Sequence, residues 1–155
     1  MEVKENSFHT HGWRQALLRR CKGLPPISTA VAHPCDVAAL MAAVEAATEG
    51  LITPILVGPR EKIRAVAAIA NLDISGFRIE PAPHSHAAAR QAVALVRSGD
   101  AQLLMKGSLH TDELMHEVME QDTGLRTARR ISHVYIMDVP RYPRLLLITD
   151  AAINI

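Results

Sequence analysis

Aromatic side chains are nearly missing from this sequence: Phe, Tyr and Trp make up 3% of its 155 residues. A core must therefore be built from Ala, Val, Leu, Ile and Met, and the stacking platforms that single-stranded nucleic acids need are absent. Net charge is also scarce, +1 from 17 basic and 16 acidic residues. A binder of phosphate backbones needs a basic face, so nucleic acid is not an expected partner. The two cysteines, Cys21 and Cys35, have no CxxC spacing, which excludes a zinc knuckle or a dithiol redox pair. Isolated thiols suit a reducing cytosol, and a cytoplasmic location is expected. Apolar runs such as AVAAIA and LLLI fall far short of the roughly 20 residues of a membrane span. The opening MEVKENSF has no apolar stretch of the signal-peptide kind, and residues 1–11 are expected to form a polar, flexible terminus. Missing too are the GxxxxGK[ST] phosphate loop, the GxGxxG dinucleotide fingerprint and the GxSxG nucleophile turn.

What is present is a pattern of alternation. Hydrophobic residues make up 48% and charged residues 21%, which supports one packed domain. GWRQALLRRCK has helical spacing and a basic end, and GLPP then breaks it. ISTAVAHP reads as a strand, CDVAALMAAVEAATEG as a helix closed by Gly50, and TPILVGP as a buried strand. REKIRAVAAIANL follows as a helix with Pro59 suited to its start. FRIEP, AQLLMKG and the helices HSHAAARQAVALVRSGD and TDELMHEVMEQ continue the rhythm. SHVYIMDVP and RLLLITDAAINI, linked by RYP, then read as an antiparallel hairpin. Strands alternating with helices imply an α/β domain, a three-layer α/β/α arrangement whose mostly parallel sheet the hairpin makes mixed. Residues 12–155 are expected to form it. Met41, Met105, Met115 and Met119 read as core filler. The chain stops soon after an apolar strand, as though more should follow.

In open α/β sheets ligands bind beyond the C-terminal ends of the strands. Those ends deliver His33, Pro34 and Cys35; Gly58, Pro59 and Arg60; Lys106, Gly107, Ser108, His110 and Thr111; and Thr149, Asp150 and Asn154. Lys106-Gly107 fits an anion site, because glycine admits a ligand to the backbone, lysine adds a charge, and the helix starting near Thr111 aims N–H groups at the same place. A solvated lysine is the plainer alternative. Arg126, Arg129 and Arg130 form either a phosphate clamp or an exposed loop. Asp150 is either an acid/base or ribose contact or a turn residue accepting backbone N–H groups. His133 either serves a site or hydrogen-bonds a loop. The i,i+2 pairs His9/His11 and His84/His86 lack a third ligand at useful spacing, so loop or helix-start roles are expected and no metal site.

LLMKGSLHTDELMHEVM, RRISHVYIMDVP and LLLITDAAINI, preceded in order by VAHPCDVAALMAAVEAA and TPILVGPREKI, resemble the phosphate acetyltransferase/phosphate butyryltransferase family over residues 15 to 155 or so. The resemblance implies the reaction acyl-CoA + phosphate ⇌ acyl phosphate + CoA. It implies coenzyme A as substrate, no metal or other cofactor, and a dimer or larger oligomer. It implies a two-domain α/β/α fold related to isocitrate and isopropylmalate dehydrogenases, of which this chain is the first domain, apparently truncated. Lys106, Gly107, Ser108, His110 and Thr111 then become phosphate or acyl phosphate contacts, with His116, Arg130, Asp150 and Asn154 as further substrate-binding candidates. His116 stands where relatives commonly carry Arg or Lys. Family members are about twice this size, and the serine, arginine and aspartate used for catalysis are expected beyond Ile155. The chain alone is therefore expected to show little or no transfer. The alternative is a stand-alone module that binds an anion or CoA, or mediates oligomerisation, without chemistry.

Overall fold

A computed structural model describes residues 12–139 and 142–150. They fall into two compact units: residues 23–127, and residues 12–22 together with 128–150. The expected polar terminus, residues 1–11, lies outside the described residues.

The larger unit follows the predicted alternation: β1 (Ile27–Ala32), α2 (Val37–Thr48), β2 (Ile52–Gly58), α3 (Arg60–Ile69), β3 (Arg78–Pro81), α4 (Ser85–Ser98), β4 (Leu103–Lys106) and α5 (Thr111–Met119), with α1 (Trp13–Cys21) belonging to the other unit. Local chemistry sets the boundaries. The Asp36 carboxylate accepts the Ala39 N–H at 2.7 Å and starts α2. α4 stops at Gly99, whose φ of 85° is the left-handed turn that glycine adopts freely.

The four strands form a parallel sheet in the order β3-β2-β1-β4. Its two faces are read directly from strand alternation. Ala30, Ala32, Ile55 and Val57 face α4 and α5, packing with Ala88, Ala89, Ala92 and Leu114. Val31 and Leu56 face α2 and α3, packing with Leu40, Ala43, Ile63 and Val66. Alanine against alanine lets α4 lie close to β1, so density is reached without aromatic rings. The unit is thus three layers, α/β/α.

The expected hairpin forms from β5 (Val134–Met137) and β6 (Leu146–Thr149), antiparallel, with Tyr135 opposite Ile148 and Ile136 opposite Leu147. Its strands pair with each other in a separate two-stranded sheet. The parallel and antiparallel pairings expected in one mixed sheet therefore stand in two. Both hairpin faces are apolar: Val134, Ile136 and Leu147 on one, Tyr135, Met137 and Ile148 on the other, all exposed. The methionines divide as well. Met105 and Met115 are half-buried, whereas Met41 and Met119 are exposed and are not core filler. No helix among the described residues is long and apolar enough to cross a membrane.

Leu56 is fully buried, so Leu56→Ala is expected to cost roughly 2–5 kcal/mol of unfolding free energy through transfer and cavity terms. Ile69, 79% exposed, is the control: Ile69→Ala should stay within about 0.5 kcal/mol. Urea denaturation of both variants checks the pair.

Candidate functional site

The strand order marks a place. From β1 the chain moves outward through β2 to β3, then crosses back to lay β4 on the other side of β1. The loop after β1 leads to α2 on one face, and the loop after β4 leads to α5 on the opposite face. Diverging loops at such a reversal open the crevice where open α/β sheets bind ligands.

The two loops are bolted together at its base. The Gly107 N–H donates to the Ala32 carbonyl at 2.9 Å. A β-carbon on Gly107 would stand 2.4 Å from that oxygen and 2.7 Å from the His33 carbonyl oxygen. His33 turns the chain with φ 53°, a left-handed conformation unusual for a non-glycine residue. The turn makes its carbonyl a shared acceptor, for the N–H groups of Ser108 (2.9 Å) and Cys35 (2.8 Å) and the Ser108 hydroxyl (2.8 Å). Ser108 Oγ also accepts the Cys35 N–H at 3.0 Å. Burial lowers the pKa of His33, with Lys62 acting in the same direction and Ser108 opposing. Burial likewise raises that of the Cys35 thiol, outweighing the opposing pull of Lys62, so the thiol is held toward its protonated, less nucleophilic form.

Above this base sits Lys106. It is exposed, and its ammonium donates to the carbonyls of Leu109 (2.8 Å) and Gly107 (3.3 Å). Among the described residues no carboxylate forms an ion pair with it. Carbonyls orient a cation without cancelling its charge, so a positive group is held at the crevice.

The start of α5 is less open than its sequence suggests. The Glu113 carboxylate accepts the His110 N–H at 3.3 Å, the Ser85 hydroxyl at 3.2 Å and His86 Nε2 at 3.1 Å. It thereby joins the first turns of α4 and α5 and takes one of the N–H groups expected for a ligand. Thr111 is the exposed first residue of α5. His116, farther along the helix and exposed, pairs with Glu120 at 3.3 Å. His84 caps α4, its Nδ1 accepting the Ala87 N–H at 3.2 Å, which is the helix-start role expected of it. Among the described residues no three His, Cys, Asp or Glu side chains converge to hold a metal ion.

Of the residues singled out in the sequence, Lys106, Gly107, Ser108, His110 and Thr111 thus share one strand-to-helix loop. Arg130 and Asp150 belong to the other unit. Arg126, Arg129 and Arg130 are exposed. Asp150 has φ 54°, and its carboxylate accepts the Ser132 hydroxyl (3.3 Å) and the His133 N–H (3.4 Å). Both bonds reach residues just before β5, far away in sequence. The His133 ring packs edge-on against Tyr135, centroids 4.2 Å apart. Asn154 lies outside the described residues. Reading outward from the sequence missed the shared acceptor at His33 and the Glu113 junction. Ser85 and Glu113 stand far apart in sequence on two helices, so no local spacing hints at their bond, and the neighbourhood of β1 and β4 is likewise a long-range pairing.

A scan against protein-family models finds no match. Several relatives are similar in sequence, and two of them show the range. The chain is 61% identical to a phosphate acetyltransferase from Rhizobium meliloti over 139 residues, 90% of this chain and 44% of that protein. It is 40% identical to a phosphate butyryltransferase from Clostridium beijerinckii over 138 residues, 89% of this chain and 46% of that protein. In structure it is similar to a phosphotransacetylase from Streptococcus pyogenes, with a TM-score of 0.71 at 15% identity, covering 95% of this chain and 51% of that one. A branched-chain phosphotransacylase from Enterococcus faecalis gives a TM-score of 0.57 at 23% identity, covering 83% and 44%. At these identities the structural likeness concerns the fold. The chain spans about half the length of the relatives it matches.

Gly107→Ala must push β4 from β1, because the obstructing atoms are backbone. A loss of about 1–3 kcal/mol or more is expected in denaturant unfolding. His33, with its folded pKa below the ordinary 6.5, binds protons more readily unfolded. Its contribution is fully present above that value and is lost as pH falls from it toward the folded pKa. His33→Asn, which tolerates the left-handed turn, should flatten the decline in stability across that acid window relative to the unaltered chain.

Proposed function

We propose, from the premise that this chain is homologous to the phosphate acetyltransferase/phosphate butyryltransferase family over a little under half of its relatives' length, that it supplies one wall of a phosphate acyltransferase cleft. The reaction is the transfer of a short acyl group between coenzyme A and inorganic phosphate. The observation that carries the reading is the 61% identity to a phosphate acetyltransferase; the Lys106 ammonium beside Gly107 at the switch between β1 and β4 agrees with it. Relatives bear both acetyl and butyryl names, and a few methylenes of acyl chain discriminate by only about 1–3 kcal/mol.

In this reading the loop from Lys106 to Thr111 binds the phosphoryl group of phosphate or acyl phosphate, Lys106 by charge, while Gly107 lets the loop close against β1. Phosphate attacks the thioester carbonyl, or in reverse the CoA thiolate attacks the acyl phosphate carbonyl. The protein's part is to place the two and stabilise the charge that develops. The groups for the second part come from the portion of the relatives that this chain does not span. Arg130, Asp150, His116 and Asn154 remain candidates for substrate contact. A cytoplasmic dimer or larger assembly, with coenzyme A as substrate and no further cofactor, completes the proposal. A binding module without chemistry is the weaker reading, since relatives at 61% and 40% identity both carry acyltransferase names.

Thioester absorbance with CoA and acetyl phosphate tests incompleteness. No turnover above the protein-free control is expected from the 155 residues; robust turnover would show that the chemistry lies within them. Titration with inorganic phosphate, followed by amide NMR, is expected to shift Lys106 and Gly107. If neither phosphate nor acetyl phosphate moves them, the loop is not the anion contact.

A further inference from the structure

We propose that Ser108 is a positioning residue rather than a ligand contact: its hydroxyl, clamped between the Cys35 N–H and the His33 carbonyl, sets the aim of the Lys106 ammonium. What Lys106 aims at rests on the proposed function. The clamp itself does not.

A serine hydroxyl has one proton to give, and Ser108 gives it to the His33 carbonyl at 2.8 Å. One lone pair takes the Cys35 N–H at 3.0 Å. Nδ1 of His33 stands 3.5 Å away on a third side. The side chain that sequence position marked as a phosphate contact has therefore spent its proton inside the fold. A phosphate oxygen needs a donor, and this hydroxyl can become one only by abandoning His33.

The clamp reaches Lys106 through the backbone. Gly107 is pinned to Ala32 by its N–H at 2.9 Å, with no room for a β-carbon. Ser108 is pinned to His33 through both its N–H and its hydroxyl. Leu109 is anchored from the other direction by its side chain, 5% exposed within the core against α4 and α5. The two carbonyls between these anchors, Gly107 and Leu109, are the ones that hold the Lys106 ammonium. A lysine side chain carries roughly 2 kcal/mol of rotamer entropy, so an ammonium already held on fixed carbonyls loses less on meeting an anion than a free one. Remove the hydroxyl and the segment keeps its two N–H bonds and the Leu109 anchor but loses the side-chain ties to His33 and Cys35, so its carbonyls are held less firmly and the lysine with them.

The test compares the unaltered 155-residue chain with Ser108→Ala, Ser108→Thr and Ser108→Cys. The first readout is the ¹⁵N–¹H signal of the Lys106 ammonium, assigned by its loss in Lys106→Met. A carbonyl-held ammonium is expected in the unaltered chain, a shift to the position of a solvated lysine in Ser108→Ala, and restoration in Ser108→Thr. The second readout is affinity for inorganic phosphate. Ser108→Ala should weaken it by about tenfold, the scale of a charge-assisted hydrogen bond, and Ser108→Ala should weaken it no further when Lys106 is already Met. A role in stability alone would lower the melting temperature and leave the ammonium signal in place; that result, or phosphate losses that add across the two positions, overturns the inference. If Ser108→Ala does not fold, Ser108→Cys, with its weaker donor, must shift the signal partway, and an unshifted signal in that folded variant overturns the inference equally. Absence of phosphate binding by the unaltered chain would count against the proposed function, while the ammonium signal would still decide the clamp.

Discussion

Everything at the crevice depends on how closely the β4 loop is drawn against the end of β1. The Gly107 N–H meets the Ala32 carbonyl at 2.9 Å, and the space a methyl group would need is already filled by main-chain oxygen. That contact does what a strand pairing does, but one residue beyond the strand, so the ladder between β1 and β4 runs on into the loops. The left-handed turn at His33 is the companion requirement. By swinging one carbonyl into the gap, it gives both loops a common acceptor, and the polar backbone of two chain reversals is satisfied without solvent.

The electrostatic design follows from that geometry. Two groups of opposite sign flank the loop into α5: an ammonium held by carbonyls, and the Glu113 carboxylate held by Ser85, His86 and the His110 N–H. Each is tied to a different neighbour, so neither neutralises the other in an ion pair. The helix end carries its own anion while the lysine keeps its charge at the crevice. Burial beneath them holds His33 toward its neutral form and Cys35 toward the thiol, which leaves Lys106 as the charged group that the loop presents.

Much of the fold was legible locally. β-Branched and proline-bounded runs gave the strands, alanine-rich runs the helices, and the start near Thr111 gave the beginning of α5. The loop from Lys106 to Thr111 was legible as a site because it combines glycine, a cation and a helix start within a few residues. What escaped were facts of strand order. Only the placement of β4 beside β1 turns Ser108 from a free hydroxyl into a clamp and makes His33 its partner. Met41 and Met119 misled because helical spacing alone does not say how wide the buried stripe is. Asp150 carried two readings, and its bonds to Ser132 and His133 are long-range ones that no local spacing announces.

The scarcity of aromatic residues has a spectroscopic consequence. Trp13, Tyr135 and Tyr142 all belong to the unit made by residues 12–22 and 128–150, whereas the parallel-sheet unit contains neither tryptophan nor tyrosine and has Phe77 as its aromatic ring. Intrinsic fluorescence therefore reports on the hairpin side of the molecule, and far-ultraviolet circular dichroism is dominated by the helices of the sheet unit. The two optical signals amount to separate channels for the two units. Coincidence of their melting curves would mean that the units lose structure in one cooperative step, and the molecule supplies that comparison without any added label.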